Sequence, residues 1–254
     1  MPDLLENKIF GIEILPLAKK DILEKIKKYI KKPAGFFHIV SLNPENLVIV
    51  QDNLEFKKVL RKGQIKLIDG VGIVLAARLL KIKVGERYPG VELMNDLIKI
   101  AAKMRLTVLL IGGEGNLAVK LADCYQKKYP EAKFFGLEGI AEIKNPKKKE
   151  EEKIFSIVDL IKPHLVFVAF GSPDQELWIE RHKKEFENCV VMGVGGAFDF
   201  LGGVIPRAPV FLRMIGLEWL FRLIVQPWRW RRQLRLVRFC WLIVRESLLN
   251  LRKK

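Results

Sequence analysis

Residues 166–179 read VFVAFGSPDQELWI, and this segment decides the interpretation of the fold. It begins with an unbroken apolar run that ends at Phe170, as expected for a strand buried on both faces of a parallel sheet. Gly171 and Ser172 then turn the chain, and Pro173 suits the first turn of a helix with Ser172 as its N-cap. This arrangement places free backbone N–H groups at the carboxyl edge of a sheet, where open α/β folds bind anionic ligands. An ordinary strand-to-helix junction without a ligand explains the pattern equally well.

Strands and helices alternate along the chain on both sides of this segment. Further strands are predicted at residues 8–15, 36–41, 64–68, 106–111, 133–136 and 189–194. The alternation predicts an α/β fold with a Rossmann-like, mostly parallel sheet and helices on both of its faces. The composition changes once, near Pro206. We therefore expect a Rossmann-like domain over residues 1–205 and a basic helical C-terminal appendage over residues 206–254.

The composition restricts the classes of protein that the chain can belong to. Half of the 254 residues are hydrophobic, which predicts a folded core rather than disorder. The three cysteines are far apart and form no CxxC motif, so we expect reduced thiols and no metal site. The N-terminus lacks the features of a signal peptide, and no window of about 18 residues is free of charge. These features predict a cytoplasmic protein, and the net charge of +16 predicts an anionic partner.

Arginine and tryptophan dominate the last fifty residues. Aliphatic residues accompany them, and only Glu218 and Glu246 oppose the positive charge. Helices of this composition are typical of segments that lie in a membrane interface. The alternative is a pair of helices that pack on the core or on a neighbouring subunit. Nucleic-acid binding is disfavoured, because bulky aliphatic residues replace the polar loops of such sites.

Polar or glycine-rich turns follow the predicted strands, and the sheet should bring these turns to one edge. Their members are Ser41, Asn43, Asp69, Gly112, Gly113, Gly171, Ser172, Gln175, Gly195, Gly196 and Asp199. Glycines allow a ligand phosphate to approach the backbone closely. The turn after residue 111 does not complete a GxGxxG motif, which disfavours a nicotinamide enzyme.

Asp69 is the strongest single candidate for a catalytic residue. It ends a strand and precedes two glycines and a helix, so its carboxylate should face the ligand crevice. There it could act as a general base on a substrate hydroxyl. An N-cap for the helix predicted over residues 70–80 explains the same position, and both interpretations stay open on pattern alone.

Six motifs, in their order along the chain, carry a resemblance to a known protein family. They are SLNPE from Ser41, IDGVG from Ile68, RYPGVELM from Arg87, GSPDQELW from Gly171, GVGGAFD from Gly193, and RAP from Arg207 with GLEWLFR from Gly216. Together they resemble the WecG/TagA/CpsF glycosyltransferases over about residues 8–232. The likeness is greatest to the TagA-type members, which prime wall teichoic acid linkage units.

The resemblance implies an inverting transfer of N-acetylmannosamine from UDP-N-acetylmannosamine to lipid-linked N-acetylglucosamine. The acceptor atom would be the 4-hydroxyl of N-acetylglucosamine on a polyprenyl diphosphate, and neither a metal nor another cofactor is implied. By similarity Asp69 would be the base. Ser41, which stands where the family often has threonine, and Asn43 would position the sugar, and Gln175 would line the donor pocket.

By the same resemblance, the glycine turns and the tail would bind phosphates. The turns that would hold UDP are formed by Gly112, Gly113, Gly171, Ser172, Gly195 and Gly196, with Asp199. Arg222, Arg229 and Arg232 are the candidates for the diphosphates, because the planar guanidinium binds phosphate bidentately. The rest of the tail would hold the enzyme on the anionic inner face of the cell membrane. A homo-oligomer is left open.

Two further interpretations remain at this point. The first keeps the fold and the lipid acceptor but uses another UDP-sugar, with a glucosyl or glucuronosyl group, for exopolysaccharide synthesis. The second is a non-catalytic basic protein that binds nucleic acid through its tail. It predicts salt-sensitive binding to nucleic acid and no specific affinity for UDP.

Overall fold

The computed structural model describes residues 7–214 and 216–251, except for the side chains of Met214, Arg229, Asn250 and Leu251. The strands are β1 (Lys8–Ile9), β2 (Ile12–Glu13), β3 (Phe37–Leu42), β4 (Ile65–Ile68), β5 (Thr107–Gly112), β6 (Lys133–Leu137), β7 (Leu165–Ala169) and β8 (Val190–Gly193). The helices are α1 (Lys19–Lys31), α2 (Pro44–Asp52), α3 (Leu54–Lys62), α4 (Val71–Leu79), α5 (Gly90–Met104), α6 (Leu117–Lys128), α7 (Lys148–Ile161), α8 (Asp174–Arg181), α9 (Ala197–Leu201), α10 (Val210–Met214), α11 (Glu218–Val225) and α12 (Trp230–Leu251), with a 3-10 turn at Pro227–Arg229.

Strands β3 to β8 form one sheet of six parallel strands in the order β4-β3-β8-β7-β5-β6. Strands β1 and β2 form a separate antiparallel hairpin. Leu42 at the end of β3 lies opposite Ile68 at the end of β4, and the next backbone N–H, of Asp69, donates to the Leu42 carbonyl at 2.9 Å. Asn43 and Asp69 therefore leave the sheet side by side at its carboxyl edge.

The alternation of side chains along the strands buries both faces of the sheet. In β7, Leu165 and Phe167 join a core cluster with residues of α1, α5 and α6. Val166 and Val168 point to the other face and join a cluster with residues of α7 and α8. This arrangement confirms the predicted α/β fold with helices on both faces of a parallel sheet.

The last helix, α12, has one face on the core and one face exposed. Phe239 and Ile243 are buried in the cluster that contains Leu47 of α2 and Ile73 of α4. The exposed side carries the large apolar residues Trp230, Leu234, Val237, Trp241 and Leu248. The alternative prediction, that the C-terminal helices pack on the core, is therefore correct for one face of α12. The division of the chain at residue 205 stays a prediction.

One detail of the VFVAFGSPDQELWI segment was predicted wrongly. Helix α8 begins at Asp174, Pro173 occupies the N-cap position, and no side chain caps the helix. The Ser172 hydroxyl instead donates to a carboxylate oxygen of Glu176 at 2.5 Å. Because Ser172 is one residue too early to cap α8, its hydroxyl is available to this buried side chain.

None of the helices within residues 7–214 and 216–251 is both long enough and apolar enough to cross a bilayer.

Candidate active site

A cavity of about 660 Å³ lies between the carboxyl edge of the sheet and the C-terminal helices. Its walls come from the ends of β3, β4 and β8 and from α4, α11 and α12. This volume is within the range of small-molecule sites, and the position matches the ligand crevice of open α/β sheets. The predicted site residues that line it are Ser41, Asn43, Asp69, Gly196, Arg222 and Arg232.

The surroundings of the Asp69 carboxyl shift its pKa towards neutral pH. Burial raises its pKa to about 7, and the negative charge of Glu218 acts in the same direction. A hydrogen bond from the backbone N–H of Gly90 opposes this rise, as do the positive charges of Arg87 and Arg222. The N-cap alternative is not realised, because Gly70 occupies that position of α4 and no side chain caps the helix. Asp69 can therefore exchange a proton with a ligand in the cavity at neutral pH.

Ser41 and Asn43 approach the cavity from the end of β3. A Cβ atom built on Gly90 would lie 3.6 Å from both the Ser41 hydroxyl and the Asp69 carboxylate, so these two polar groups lie around one glycine. The Asn43 side-chain oxygen accepts the backbone N–H of Asn46 at 2.8 Å and caps α2. Asn43 thus has a structural task in addition to its place in the wall.

Arg222 presents a largely buried guanidinium to the cavity. Its central carbon lies 4.4 Å from the centre of the Phe200 ring, and Nε and Nη2 have no hydrogen-bond partner among the described residues. Burial lowers the pKa of Arg222, while Glu218 and Asp199 counteract this effect. The group stays cationic because arginine does not lose its proton in proteins. Two unsatisfied N–H donors on a buried cation are suited to an anionic ligand.

Gly196 brings the backbone close to this guanidinium. A Cβ atom on Gly196 would lie 2.7 Å from Nη2 of Arg222 and 3.1 Å from a carboxylate oxygen of Asp199. A larger residue would displace one of them. Asp199 does not line the cavity, but its negative charge stabilises the cationic form of Arg222, which does.

Of the other two predicted arginines, Arg232 has a described side chain and Arg229 does not. The Nε atom of Arg232 lies 3.6 Å from Glu45, whose carboxylate also pairs with Arg235 at 2.5 Å. Glu45 and Arg232 both line the cavity. The backbone of Arg229 belongs to the 3-10 turn, but its side chain lies outside the described part of the chain. A role for Arg229 stays a prediction.

Gln175 lies behind the wall of the cavity instead of in it. Its side chain is 3% exposed, and its oxygen accepts the backbone N–H groups of Gly171 and Gly195, each at 3.1 Å. Its amide nitrogen donates at 2.8 Å to Glu176, the carboxylate that also accepts the Ser172 hydroxyl. None of these residues lines the cavity. Gln175 thus joins the turns that follow β7 and β8, a task that the sequence did not reveal.

Gly112 and Gly113 also lie away from the cavity. Their φ angles are 95° and 78°, in the left-handed region that favours glycine. A Cβ atom on Gly112 would lie 2.8 Å from the carbonyl oxygen of Ala169. Close packing of β5 against β7 therefore explains this glycine without a ligand.

Within residues 7–214 and 216–251, no group of His, Cys, Asp or Glu side chains is arranged to hold a metal ion.

The sequence was compared with known protein families and proteins. The model of the glycosyl transferase WecG/TagA/CpsF family matches residues 7–253. The chain belongs to this family. It is therefore a glycosyltransferase, and the predicted family is confirmed. Relatives include N-acetylglucosaminyldiphosphoundecaprenol N-acetyl-beta-D-mannosaminyltransferases of Staphylococcus aureus strains MRSA252 and NCTC 8325 / PS 47. Each is 30% identical over 225 residues, which cover 88% of this chain and 85% of the relative.

In this glycosyltransferase, ion pairs attach the start of the C-terminal segment to the carboxyl edge of the sheet. Arg207 lies 3.1 Å from Glu92 at the start of α5 and 3.8 Å from Glu218 of α11. Arg87 lies 4.0 Å from the other carboxylate oxygen of Glu218 and donates to the carbonyl of Arg213 at 2.9 Å. Arg87 and Glu218 belong to two of the family motifs, but the sequence alone predicts no role for either residue. Their pairing joins segments far apart in the chain, which no local pattern predicts.

Proposed function

We propose that the protein transfers N-acetylmannosamine from UDP-N-acetylmannosamine to N-acetylglucosamine on a polyprenyl diphosphate. The relatives named above support the substrates, because their name specifies an N-acetyl-beta-D-mannosaminyl group and a diphosphoundecaprenol-linked acceptor. One observation carries the chemistry. A carboxyl group with a pKa of about 7, Asp69, lies in the same cavity as Arg222, a buried cation with unsatisfied donors.

Asp69 is the general base of the proposed reaction. Its carboxylate takes the proton from the 4-hydroxyl of the acceptor sugar as the oxygen attacks C1 of N-acetylmannosamine. The bond between C1 and the β-phosphate oxygen breaks, and UDP leaves with the electron pair. A single displacement of this kind inverts the anomeric carbon and yields a β-linked disaccharide. A base with a pKa near the working pH combines a useful ionised fraction with useful basicity.

Arg222 stabilises the departing diphosphate. Negative charge on UDP increases as the glycosidic bond breaks, and fixed donors in a site that excludes water stabilise such charge strongly. Arg222 lines the cavity, and its Nε and Nη2 atoms are buried without a protein hydrogen-bond partner, so a small movement of the side chain would present them to the diphosphate. Gly196 leaves room beside the guanidinium, and Asp199 attracts it from behind. Arg232, at the cavity wall, is the second candidate for a phosphate contact.

The acceptor is lipid-linked, so the enzyme has to work at a membrane surface. The aromatic residues Trp228, Trp230 and Trp241 are exposed on the C-terminal segment, together with aliphatic residues of α12. Tryptophan and arginine at an exposed apolar face are typical of interfacial helices. The proposed location is therefore the inner face of the cell membrane, without a membrane-spanning segment contributed by the described residues.

A donor panel tests the proposed activity. The purified protein is incubated with N-acetylglucosamine diphosphate on a short lipid and with UDP-N-acetylmannosamine, UDP-glucose or UDP-glucuronic acid in turn. Chromatography with mass spectrometry should detect a lipid-linked disaccharide with UDP-N-acetylmannosamine only, and Asp69→Asn is the matched control. A product with another donor and none with UDP-N-acetylmannosamine would favour the alternative role in exopolysaccharide synthesis.

A further inference from the structure

The cavity has an apolar half that sugar transfer does not explain. Helix α4 contributes Val71, Leu75, Ala76 and Leu79 to the wall, and α12 contributes Leu236, Phe239, Ile243 and Val244. Leu75, Leu79 and Val244 are 56%, 51% and 51% exposed, respectively. Large aliphatic side chains that remain exposed on both sides of one cavity are typical of a binding groove for an apolar ligand. The nucleotide and the two sugars of the proposed reaction are polar and would not cover these aliphatic side chains.

This groove begins at the catalytic carboxylate. Asp69 and Gly70 directly precede α4, and Val71, Leu75 and Leu79 follow one another along one side of that helix. The lined part of α4 is about 12 Å long, because an α-helix rises 1.5 Å per residue. A ligand with its reacting group at Asp69 can therefore extend along α4 and contact almost only apolar side chains.

A cationic and polar stretch of α12 precedes its apolar wall. Arg232 and Gln233 line the cavity one turn before Leu236. Glu45 is shared by Arg232 and Arg235, so its single negative charge does not neutralise both arginines. Along α12 the wall thus changes from cationic to apolar. A ligand with a diphosphate joined to a hydrocarbon chain has the same order of groups.

We infer that the groove between α4 and α12 binds the first isoprene units of the acceptor's polyprenyl chain. The inference rests on the proposed function, because that function supplies the lipid-linked acceptor. A polyprenyl diphosphate satisfies both the cationic and the apolar parts of the wall in one molecule. The hydrocarbon chain of an ordinary membrane lipid would contact the apolar part of the wall, but such a lipid has no sugar diphosphate to bind at the polar end of the cavity near Asp69. The acceptor's own chain is therefore the occupant.

Cys240 provides a native probe of the groove. Of the three cysteines, Cys240 is exposed and lines the cavity, Cys124 is exposed outside it on α6, and Cys189 is buried. Alkylation of the two exposed thiols by a maleimide can be followed by mass spectrometry of peptides. A short-chain polyprenyl diphosphate should slow alkylation of Cys240 about ten-fold when present at about ten times its dissociation constant, because only free protein reacts. Cys124 should react at its original rate and serves as the internal control.

Head-group controls separate the groove from simple phosphate binding. Inorganic pyrophosphate and UDP carry the phosphates but not the chain, so neither should protect Cys240. Equal protection by pyrophosphate, equal slowing of both thiols, or no protection by the polyprenyl diphosphate would each overturn the assignment of the groove. This readout does not require turnover.

Substitutions in the groove should affect acceptors according to chain length. The double variant Leu75→Gln/Leu79→Gln should raise KM about ten-fold for an acceptor with several isoprene units, since it removes apolar contacts of two side chains. KM should rise less for an acceptor with one isoprene unit, whose chain reaches fewer of these side chains, and KM for the UDP-sugar should stay unchanged. Val237→Gln is the matched control, because Val237 is 69% exposed on α12 but does not line the cavity. All these positions are exposed, so folding should be preserved.

The outcomes distinguish this inference from the proposed function. An equal rise of KM for both acceptors, or no rise for the longer one, would overturn the groove while transfer by the wild-type protein still supports the function. If the wild-type protein transfers no sugar to any lipid acceptor, the proposed function is wrong. In that case the protection of Cys240 alone decides whether a polyprenyl chain occupies the groove.

Discussion

Exchanging the side chains of Gln175 and Glu176 should preserve the network that supports the donor side of the cavity. In the wild-type protein the Gln175 oxygen accepts two backbone N–H groups and its nitrogen donates to Glu176. In the double variant Gln175→Glu/Glu176→Gln, one carboxylate oxygen at position 175 would accept the same N–H groups. The other oxygen would accept the new amide at position 176, whose carbonyl would accept the Ser172 hydroxyl. Every hydrogen bond thus has a counterpart.

Gln175→Glu breaks this pattern, because it places two carboxyl groups next to each other in a buried position, where burial already raises the pKa of Glu176 to about 7. Glu176→Gln should be tolerated, because its amide oxygen can accept from Gln175 while its amide nitrogen donates to the Ser172 hydroxyl, which can accept as well as donate. The free energy of unfolding should therefore fall by at least about 1 kcal/mol in Gln175→Glu and change little in Glu176→Gln. The double variant should recover most of this loss, with a favourable coupling energy of about 1–3 kcal/mol.

Denaturant unfolding of the four proteins at pH 8 measures the coupling, and initial rates measure its effect on catalysis. The Gly195 turn directly precedes Gly196, which lies beside Arg222. KM for the UDP-sugar should therefore rise in Gln175→Glu and return towards the wild-type value in the double variant. KM for the acceptor should change little, because the Gln175 network does not reach α4 or α12.

Additive losses in the double variant would refute the assigned hydrogen-bond pattern, since independent sites show coupling within about 0.5 kcal/mol. Recovery of stability without recovery of KM would refute the link from Gln175 to the donor pocket. Gln175→Ala is the control for complete loss. It leaves the N–H groups of Gly171 and Gly195 without an acceptor, which costs about 2–6 kcal/mol for the two groups together.

The remaining predictions concern Asp69, Phe239 and the C-terminal segment. Asp69→Asn should lower kcat about 10²–10⁴-fold without weakening UDP binding in calorimetry, since it removes a negative charge near the diphosphate, and turnover at the wild-type rate would contradict Asp69 as the base. In the wild-type protein, kcat/KM should rise with pH through about 7 and the midpoint of kcat should lie higher. Because its folded pKa is raised, Asp69 should lower stability progressively from about pH 4 to pH 7, so Asp69→Asn should be the more stable protein at pH 8, by up to about 4 kcal/mol in urea unfolding. Phe239→Ala should destabilise the fold by about 3–5 kcal/mol, whereas the exposed Val237→Ala should not. Deletion from Arg207 onward should abolish activity and flotation with anionic liposomes, and retained activity on a membrane-embedded acceptor would contradict a catalytic tail.

Local patterns predicted the parallel sheet well, and they singled out residues at its carboxyl edge. The run from Val166 to Phe170 identified a strand buried on both faces, because only a parallel sheet covered by helices tolerates such a sequence. Asp69 was found for a related reason. A polar residue that ends a buried strand and precedes two glycines has few roles other than a cap or a ligand contact, and the structure removes the cap.

Contacts between distant parts of the chain could not be predicted in the same way. No structural task could be predicted for Gln175, because both of its N–H partners belong to turns and one of them, Gly195, is twenty residues away. Arg87 and Glu218 were missed because their pairing depends on how α11 folds back on the sheet. The interfacial interpretation of the tail likewise did not reveal that Phe239 and Ile243 enter the core. The i, i+4 spacing of Phe239 and Ile243 places both side chains on one face of a helix, but it does not predict which elements pack against that face.

The charges around Asp69 and Arg222 explain why donor binding should precede proton transfer. The positive charge of Arg222 lowers the proton affinity of Asp69, although burial outweighs it. A UDP diphosphate bound to Arg222 would neutralise much of this positive charge and add negative charge nearby. A nearby negative charge raises the pKa of a carboxyl group. Asp69 therefore becomes the stronger base when the donor is in place, so the acceptor hydroxyl is activated only beside a sugar that it can attack.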